Sequence, residues 1–251
     1  MESKLIELNK QGYNPLVYYK DIILSVETLK VIGATQIWEL GCGSGDWSIC
    51  VDKMYQPGFA EYHLIDNFQF TNIHPDIINR LGYYWPKDEN DIKKHLSEAE
   101  LDYVFYNIDI ANLPEPDDLI DCVRIDTAHE TAETIQWCVD NLSENGIIQC
   151  ADIRLNKSFQ KVMLMTEQVL IGSIEPVWLG EGEGVWCRKG KGKDLRHKLF
   201  NNDELQDYFG ELKKNEFTLM GQHYYYLRAR LKQTRYSKVK RELELELSQN
   251  S

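Results

Sequence analysis

Short apolar runs that close on an acidic residue recur along this chain, and they leave few folds open. Residues 36–40 (QIWEL) run into a glycine cluster, with Glu39 beside its start. The runs 62–65 (YHLI), 102–108 (DYVFYNI), 121–125 (DCVRI) and 147–150 (IIQC) lead to Asp66, Asp109, Asp126 and Asp152. Each run has strand length, and two of the four gaps between them hold one helix. Helical spacing of apolar residues marks 16–32, 47–54 and 131–142, the last with Ile135, Cys138, Val139 and Leu142 on one face. Another helix is expected over 158–171, with Ser158 as its N-cap, while Gly146 falls where a turn is expected. Strands alternating with helices predict an α/β fold: a Rossmann-like, doubly wound, mostly parallel sheet covered on both faces. Two later runs, 174–179 (IEPVWL) and 184–188 (GVWCR), flank Gly180-Glu181-Gly182-Glu183 and predict an antiparallel hairpin that closes the sheet.

Composition narrows the class. The 251 residues are 43% hydrophobic and 27% charged, which suits one large domain with an appendage. Nothing approaches the roughly 18 uninterrupted apolar residues of a membrane-spanning helix. Met1-Glu2-Ser3-Lys4 lacks the profile of a signal peptide, so a cytoplasmic protein is expected. Six cysteines without a CxxC pair are expected to be small buried hydrophobes in a reducing compartment.

The net charge of −12 is unevenly spread: residues 191–251 are +4 and the first 190 are −16. This divides the chain into an amino-terminal helical segment (1–34), a core (35–190) and an extension (191–251), basic then acidic and partly helical. An acidic body argues against a nucleic-acid groove. Arg228 to Arg241 contains seven basic residues, both ends included, and no acid, after which Glu242, Glu244 and Glu246 alternate with leucines. That pattern reads as a solvated helix with complementary charge at its two ends. A homo-oligomer formed through the extension, or a nucleic-acid or membrane contact, is the alternative.

In open α/β sheets, ligands bind beyond the carboxyl ends of the strands, the edge to which these acids are delivered. One strand-terminal Asp is commonplace, since Asp also caps helices and starts turns; recurrence is the signal. The strongest motif is Glu39-Leu40-Gly41-Cys42-Gly43-Ser44-Gly45-Asp46. Glycines at 41, 43 and 45 let the backbone turn sharply and approach a ligand. A dinucleotide fingerprint would place its third glycine at 46, where this chain has an acid that would repel a pyrophosphate. The loop better suits a ligand with an ammonium or sulfonium group, while a helix opening near Asp46 can receive a carboxylate. S-adenosylmethionine meets both demands. Asp66 follows at about the spacing at which such folds place an acid on the ribose hydroxyls.

On these residues the chain resembles the class I S-adenosylmethionine-dependent methyltransferases over about residues 35–190. ELGCGSG (39–45) is similar to their first motif, LID (64–66) to their second-strand acid and NID (107–109) to the segment meeting the adenine. The closing hairpin is similar to their reversed last strand. The resemblance implies a seven-stranded sheet and places Glu39, Gly41, Gly43, Gly45, Asp66 and Asp109 at the cofactor. Within the class, 123–153 resembles both small-molecule O-methyltransferases of the macrocin type, with a D-G-D-H segment after strand four, and FkbM-type enzymes. Asp126 and His129 match D-G-D-H, but its second acid is Ala128. Metal-dependent members add an oxygen ligand beside the strand-five acid, where this chain has Ala151 and Ile153. Asp126 and Asp152 are thus the candidate carboxylates for Mg²⁺.

The resemblance implies transfer of a methyl group to a hydroxyl of a small molecule, with a sugar or sugar-bearing metabolite favoured. His129 is the candidate general base, because its unperturbed pKa lies nearest neutrality, and Asp126 the group that orients it. Thr127-Ala128-His129-Glu130 also has the pattern of a capping box, which would explain Glu130 without catalysis. The competing functions are an RNA or cap methyltransferase, supported by the basic extension, and a non-catalytic module keeping the fold. A nicotinamide-dependent dehydrogenase is opposed by Asp46 and the hairpin.

Overall fold

The protein is described by a computed structural model over residues 1–15, 17, 19–56, 60–68, 84, 86, 88–127, 130–153, 159–180, 182–201 and 205. Its frame is a seven-stranded sheet: β1 (Gln36–Leu40), β2 (Glu61–Asp66), β3 (Tyr103–Asn107), β4 (Ile120–Ile125), β5 (Leu142–Cys150), β6 (Ile174–Leu179) and β7 (Gly184–Arg188). The spatial order is β3-β2-β1-β4-β5-β7-β6. The first five strands pair in parallel and β7 runs antiparallel to both β5 and β6. The doubly wound, hairpin-closed sheet is thereby established, and the order reverses between β1 and β4, where open α/β sheets keep their ligands.

The helices are α1 (Glu2–Lys10), α2 (Tyr19–Ile32), α3 (Asp46–Tyr55), α4 (Glu89–Glu98), α5 (Ala132–Asn141), α6 (Phe159–Leu170) and α7 (Gly192–Phe200). One hydrophobic cluster joins α1 to α4 and α7 to a sheet face through Ile22, Ile23, Leu29, Ile37, Trp47, Leu64 and Trp178. A second, on the other face, joins α5 and α6 to Trp38, Val123, Ile125, Ile148 and Trp186. Burial on both faces explains why β1, β4 and β5 read as apolar runs rather than alternating patterns. All six cysteines are free and buried, as their apolar context requires.

Several expectations are corrected. The helix expected from 131 starts at Ala132, and its cap is Thr131, whose hydroxyl accepts from the Thr134 amide at 3.2 Å. Thr127-x-x-Glu130 is therefore no capping box. Gly146 lies inside β5 rather than at a turn, because a Cβ there would stand 2.8 Å from the Ile120 carbonyl oxygen and 2.7 Å from Leu142 Cγ. β3 ends at Asn107, before Asp109, which instead caps a short 3₁₀ turn (Ile110–Asn112) by accepting from the Ala111 amide at 2.9 Å. Helix α4 lies between β2 and β3. Asp88 starts it by accepting from the amides of Asn90 and Asp91, and Ile92 and Leu96 are its buried face. Ser158 and the extension beyond 205 lie outside the described residues. No helix among the described residues is long and apolar enough to cross a membrane.

Candidate active site

The glycine loop leaves the carboxyl end of β1 at the point where strand order reverses. Its three glycines all have positive φ, of 80°, 54° and 76°. Gly41 is the most constrained: its amide donates to the Ile65 carbonyl at 2.8 Å, and a Cβ would lie 2.5 Å from the Asp126 carbonyl oxygen. The loop is thus pressed against the ends of β2 and β4 together. Gly45 then opens α3 as its N-cap, with no side chain capping the first turn.

Asp66 ties β2 to this loop. One carboxylate oxygen accepts from the Gly43 amide and the other from the Phe68 amide, each at 2.8 Å. Burial raises its carboxyl above the ordinary aspartate range, against the amides of Phe68, Gly43 and Asn67, which favour the anion. Asp109 stands nearby, since its carboxylate accepts from Asn67 Nδ2 at 3.0 Å. Asp46 does not face a ligand. It is 2% exposed, pairs with His95 Nε2 at 2.7 Å and accepts from the Asn14 amide at 3.0 Å. Its carboxylate holds residues 13–14 and α4 to the loop, with the His95 ring stacked on Tyr84 at 4.2 Å.

Beneath the crevice runs a polar rung. The sheet register places Glu39 beside Arg124 and Arg124 beside Gln149 on three adjacent strands. The Arg124 guanidinium is 1% exposed and meets three carboxylates: Glu39 at 2.7 Å, Asp126 at 2.8 Å and Glu183 at 2.8 Å. Trp47 covers it, with the guanidinium carbon 4.9 Å from the ring centroid. Ser48 donates to the second oxygen of Glu39 at 2.6 Å, and Gln149 Nε2 donates to Glu183. Burial pushes the Glu39 and Glu183 carboxyls up to about 7, although Arg124 opposes the rise. Burial alone would lower the Arg124 guanidinium, and the charges of Asp126, Glu183 and Glu39 more than reverse that. Asp126 is the member that reaches outward, its side chain 34% exposed. Glu39 therefore sits under the loop with both oxygens engaged by protein groups.

Sequence reasoning missed Arg124, Gln149, Glu183 and Lys161. A signal was present for the first two, since a charged or amide residue stands inside each of two otherwise apolar central strands. Lys161 is 1% exposed and its Nζ donates to the carbonyls of Ile125 at 3.2 Å and Ala151 at 3.1 Å, while pairing with Glu130 at 2.9 Å. Asp152 is exposed, with φ of 59°. His129 lies outside the described residues. Among the described residues, no three His, Cys, Asp or Glu side chains converge to hold a metal ion. The residues present do not fit Mg²⁺, because Asp126 is already paired with a guanidinium and an ammonium is bound between the strand ends.

No protein-family model and no curated protein matches the chain. Its sheet is similar to those of several solved methyltransferases. The O-methyltransferase NovP shares 14% identity over 67% of this chain and 78% of its own, with a TM-score of 0.49. The O-methyltransferase TomG from Streptomyces achromogenes, in complex with S-adenosylmethionine, shares 14% over 75% and 89%, with a TM-score of 0.47. The Podospora anserina methyltransferase PaMTH1, bound to S-adenosylhomocysteine, shares 15% over 65% and 76%, with a TM-score of 0.45. The fold assignment rests on the strand order, not on these likenesses.

Proposed function

We propose that this chain is an S-adenosylmethionine-dependent methyltransferase that methylates a hydroxyl of a small molecule, with a sugar or sugar-bearing metabolite as the favoured acceptor. The observation that carries the reading is the joining of the Gly41–Gly45 loop to Asp66 through the Gly43 amide, beside the reversal of strand order. In this proposal the α3 amino terminus receives the carboxylate of the cofactor, Asp66 accepts from its ribose hydroxyls, and Asp109 lies on the adenine side. Glu39 supports the loop from below, and the net negative rung around Arg124 favours a cationic ligand above it.

When bound, the cofactor supplies an electrophilic methyl group on sulfur. The protein's part in an in-line displacement is alignment, and a loop pressed against two strand ends is rigid enough to provide it. The acceptor hydroxyl must also lose a proton. We assign that task to His129, with Asp126 at the crevice mouth as the group that orients it.

Calorimetric titration with S-adenosylmethionine and S-adenosylhomocysteine, against NAD as control, tests the class. Binding of the first two that is lost in Asp66→Ala supports it; binding of neither refutes it. His129→Gln tests the base, and undiminished turnover with intact cofactor binding would remove that residue from the mechanism. The chain's −16 body supports a small-molecule acceptor over RNA.

A further inference from the structure

Among the described residues one buried lysine stands at the crevice, with no part in the proposed chemistry, and its surroundings are those of a bound cation. Two adjacent parallel strands, β4 and β5, end side by side with Ile125 opposite Cys150. The last carbonyls there, of Ile125 and Ala151, belong to the peptide groups that lead into Asp126 and Asp152, the two acids that a metal-dependent relative would use. Lys161 reaches over from the start of α6 and places Nζ on both carbonyls, at 3.2 and 3.1 Å, with Glu130 as a third oxygen at 2.9 Å. The ammonium thus donates to two carbonyls and is ion-paired with one carboxylate. The ammonium is inside the protein and paired, as a buried charge must be. On the other side of Asp126, Arg124 Nη1 lies 2.8 Å from its carboxylate.

We infer that Lys161 is the resident cation of the β4–β5 crevice, standing between the strand ends that carry Asp126 and Asp152 in place of a divalent ion. An ion bridging those acids would lie close to two fixed positive charges, and it would have to displace Arg124 from Asp126. Mg²⁺ also demands near-octahedral oxygen geometry, whereas the two strand-end carbonyls are already spent on the ammonium. Methyl transfer, where the inference rests on the function proposed above, therefore proceeds without a metal. Lys161 acts as a positioning residue that sets the two strand ends, and through them Asp126.

Mn²⁺ is the probe, because its spin-resonance signal is lost on binding and reports ions independently of catalysis. With the full chain, the free Mn²⁺ signal is expected to be unchanged by protein. Chelation with EDTA is expected to change turnover less than about twofold, against the loss of orders of magnitude when a metal activates the nucleophile. Stoichiometric Mn²⁺ binding displaced by Mg²⁺, or collapse of turnover in EDTA restored by Mg²⁺, would overturn the inference. Lys161→Met combined with Glu130→Gln removes the cation without stranding its carboxylate, and circular dichroism verifies folding. Mn²⁺ binding gained in that variant assigns the exclusion to Lys161, and a folded variant that still binds none would overturn that assignment. Absence of any methyl transfer would sink the proposed function but leave the Mn²⁺ result to decide the cation.

Discussion

Replacing Arg124 with Met should destabilise the protein in a way that depends on pH. In the native state the guanidinium holds Glu39, Glu183 and Asp126 at 2.7–2.8 Å inside the sheet, and it is the largest influence lowering the Glu39 and Glu183 carboxyls. Both glutamates nevertheless rise to about 7, so the folded chain holds protons that the unfolded chain releases near 4.5. Wild-type stability should therefore fall as pH rises from about 4.5 to about 7 and level off above that. Without Arg124 both carboxyls rise further, and the fall should continue past neutrality. Each group then adds up to about 1.4 kcal/mol per pH unit above 7, so two give a loss of about 3 kcal/mol by pH ~8. That agrees with the roughly 3–5 kcal/mol expected for removing one partner of a buried ion pair, a large share of the ~5–15 kcal/mol that holds a domain together. At pH ~5.5 the glutamates are protonated in both proteins, and only the pair with the partly exposed Asp126 is lost, so the difference should shrink to about 1 kcal/mol or less. Urea unfolding of wild type and Arg124→Met at both pH values measures this. A cost that is equal at the two pH values, or larger at the acidic one, would refute the charge argument.

Gly41→Ala forces a Cβ to 2.5 Å from the Asp126 carbonyl oxygen at φ of 80°; a loss of about 2–4 kcal/mol is expected, read as a lower thermal midpoint together with weakened cofactor binding. Thr131→Ala should cost about 1 kcal/mol of unfolding free energy through the lost α5 cap, and Thr127→Ala should leave that cap intact; the opposite order would restore the capping box at 127–130. His95→Ala leaves the 2%-exposed Asp46 carboxylate without its 2.7 Å partner and should cost about 1–3 kcal/mol in urea unfolding. It should also speed hydrogen exchange at the Asn14 amide, and unchanged exchange there would show that the pair does not hold the amino-terminal segment.

What this sequence determined unaided is the part of the protein governed by local chemistry. Apolar runs of strand length, helical spacing between them and a glycine-paired hairpin specify an α/β sheet, because each depends on residues near one another in the chain. The ELGCGSG loop and Asp66 were legible for the same reason: tight turns and strand-end acids carry their signature within a few residues. The boundaries that moved did so where a neighbour far along the chain intervened. Gly146 looked like a turn residue, yet it admits the Ile120 carbonyl from the next strand. Asp46 looked like an acid facing the ligand, yet it is buried and bonded to His95 on a distant helix.

Tertiary structure alone decided the charge pattern of the site. Arg124, Glu39 and Glu183 are separated by 85 and 59 residues, and nothing local pairs them. They meet because parallel pairing sets β1 beside β4 in a register that opposes Glu39 to Arg124, and because the hairpin returns Glu183 to the same place. Lys161 likewise acquires its role from two carbonyls whose positions depend on how β4 and β5 align. A buried charge is tolerated only where partners converge on it, and that convergence belongs to the folded sheet, not to any stretch of chain.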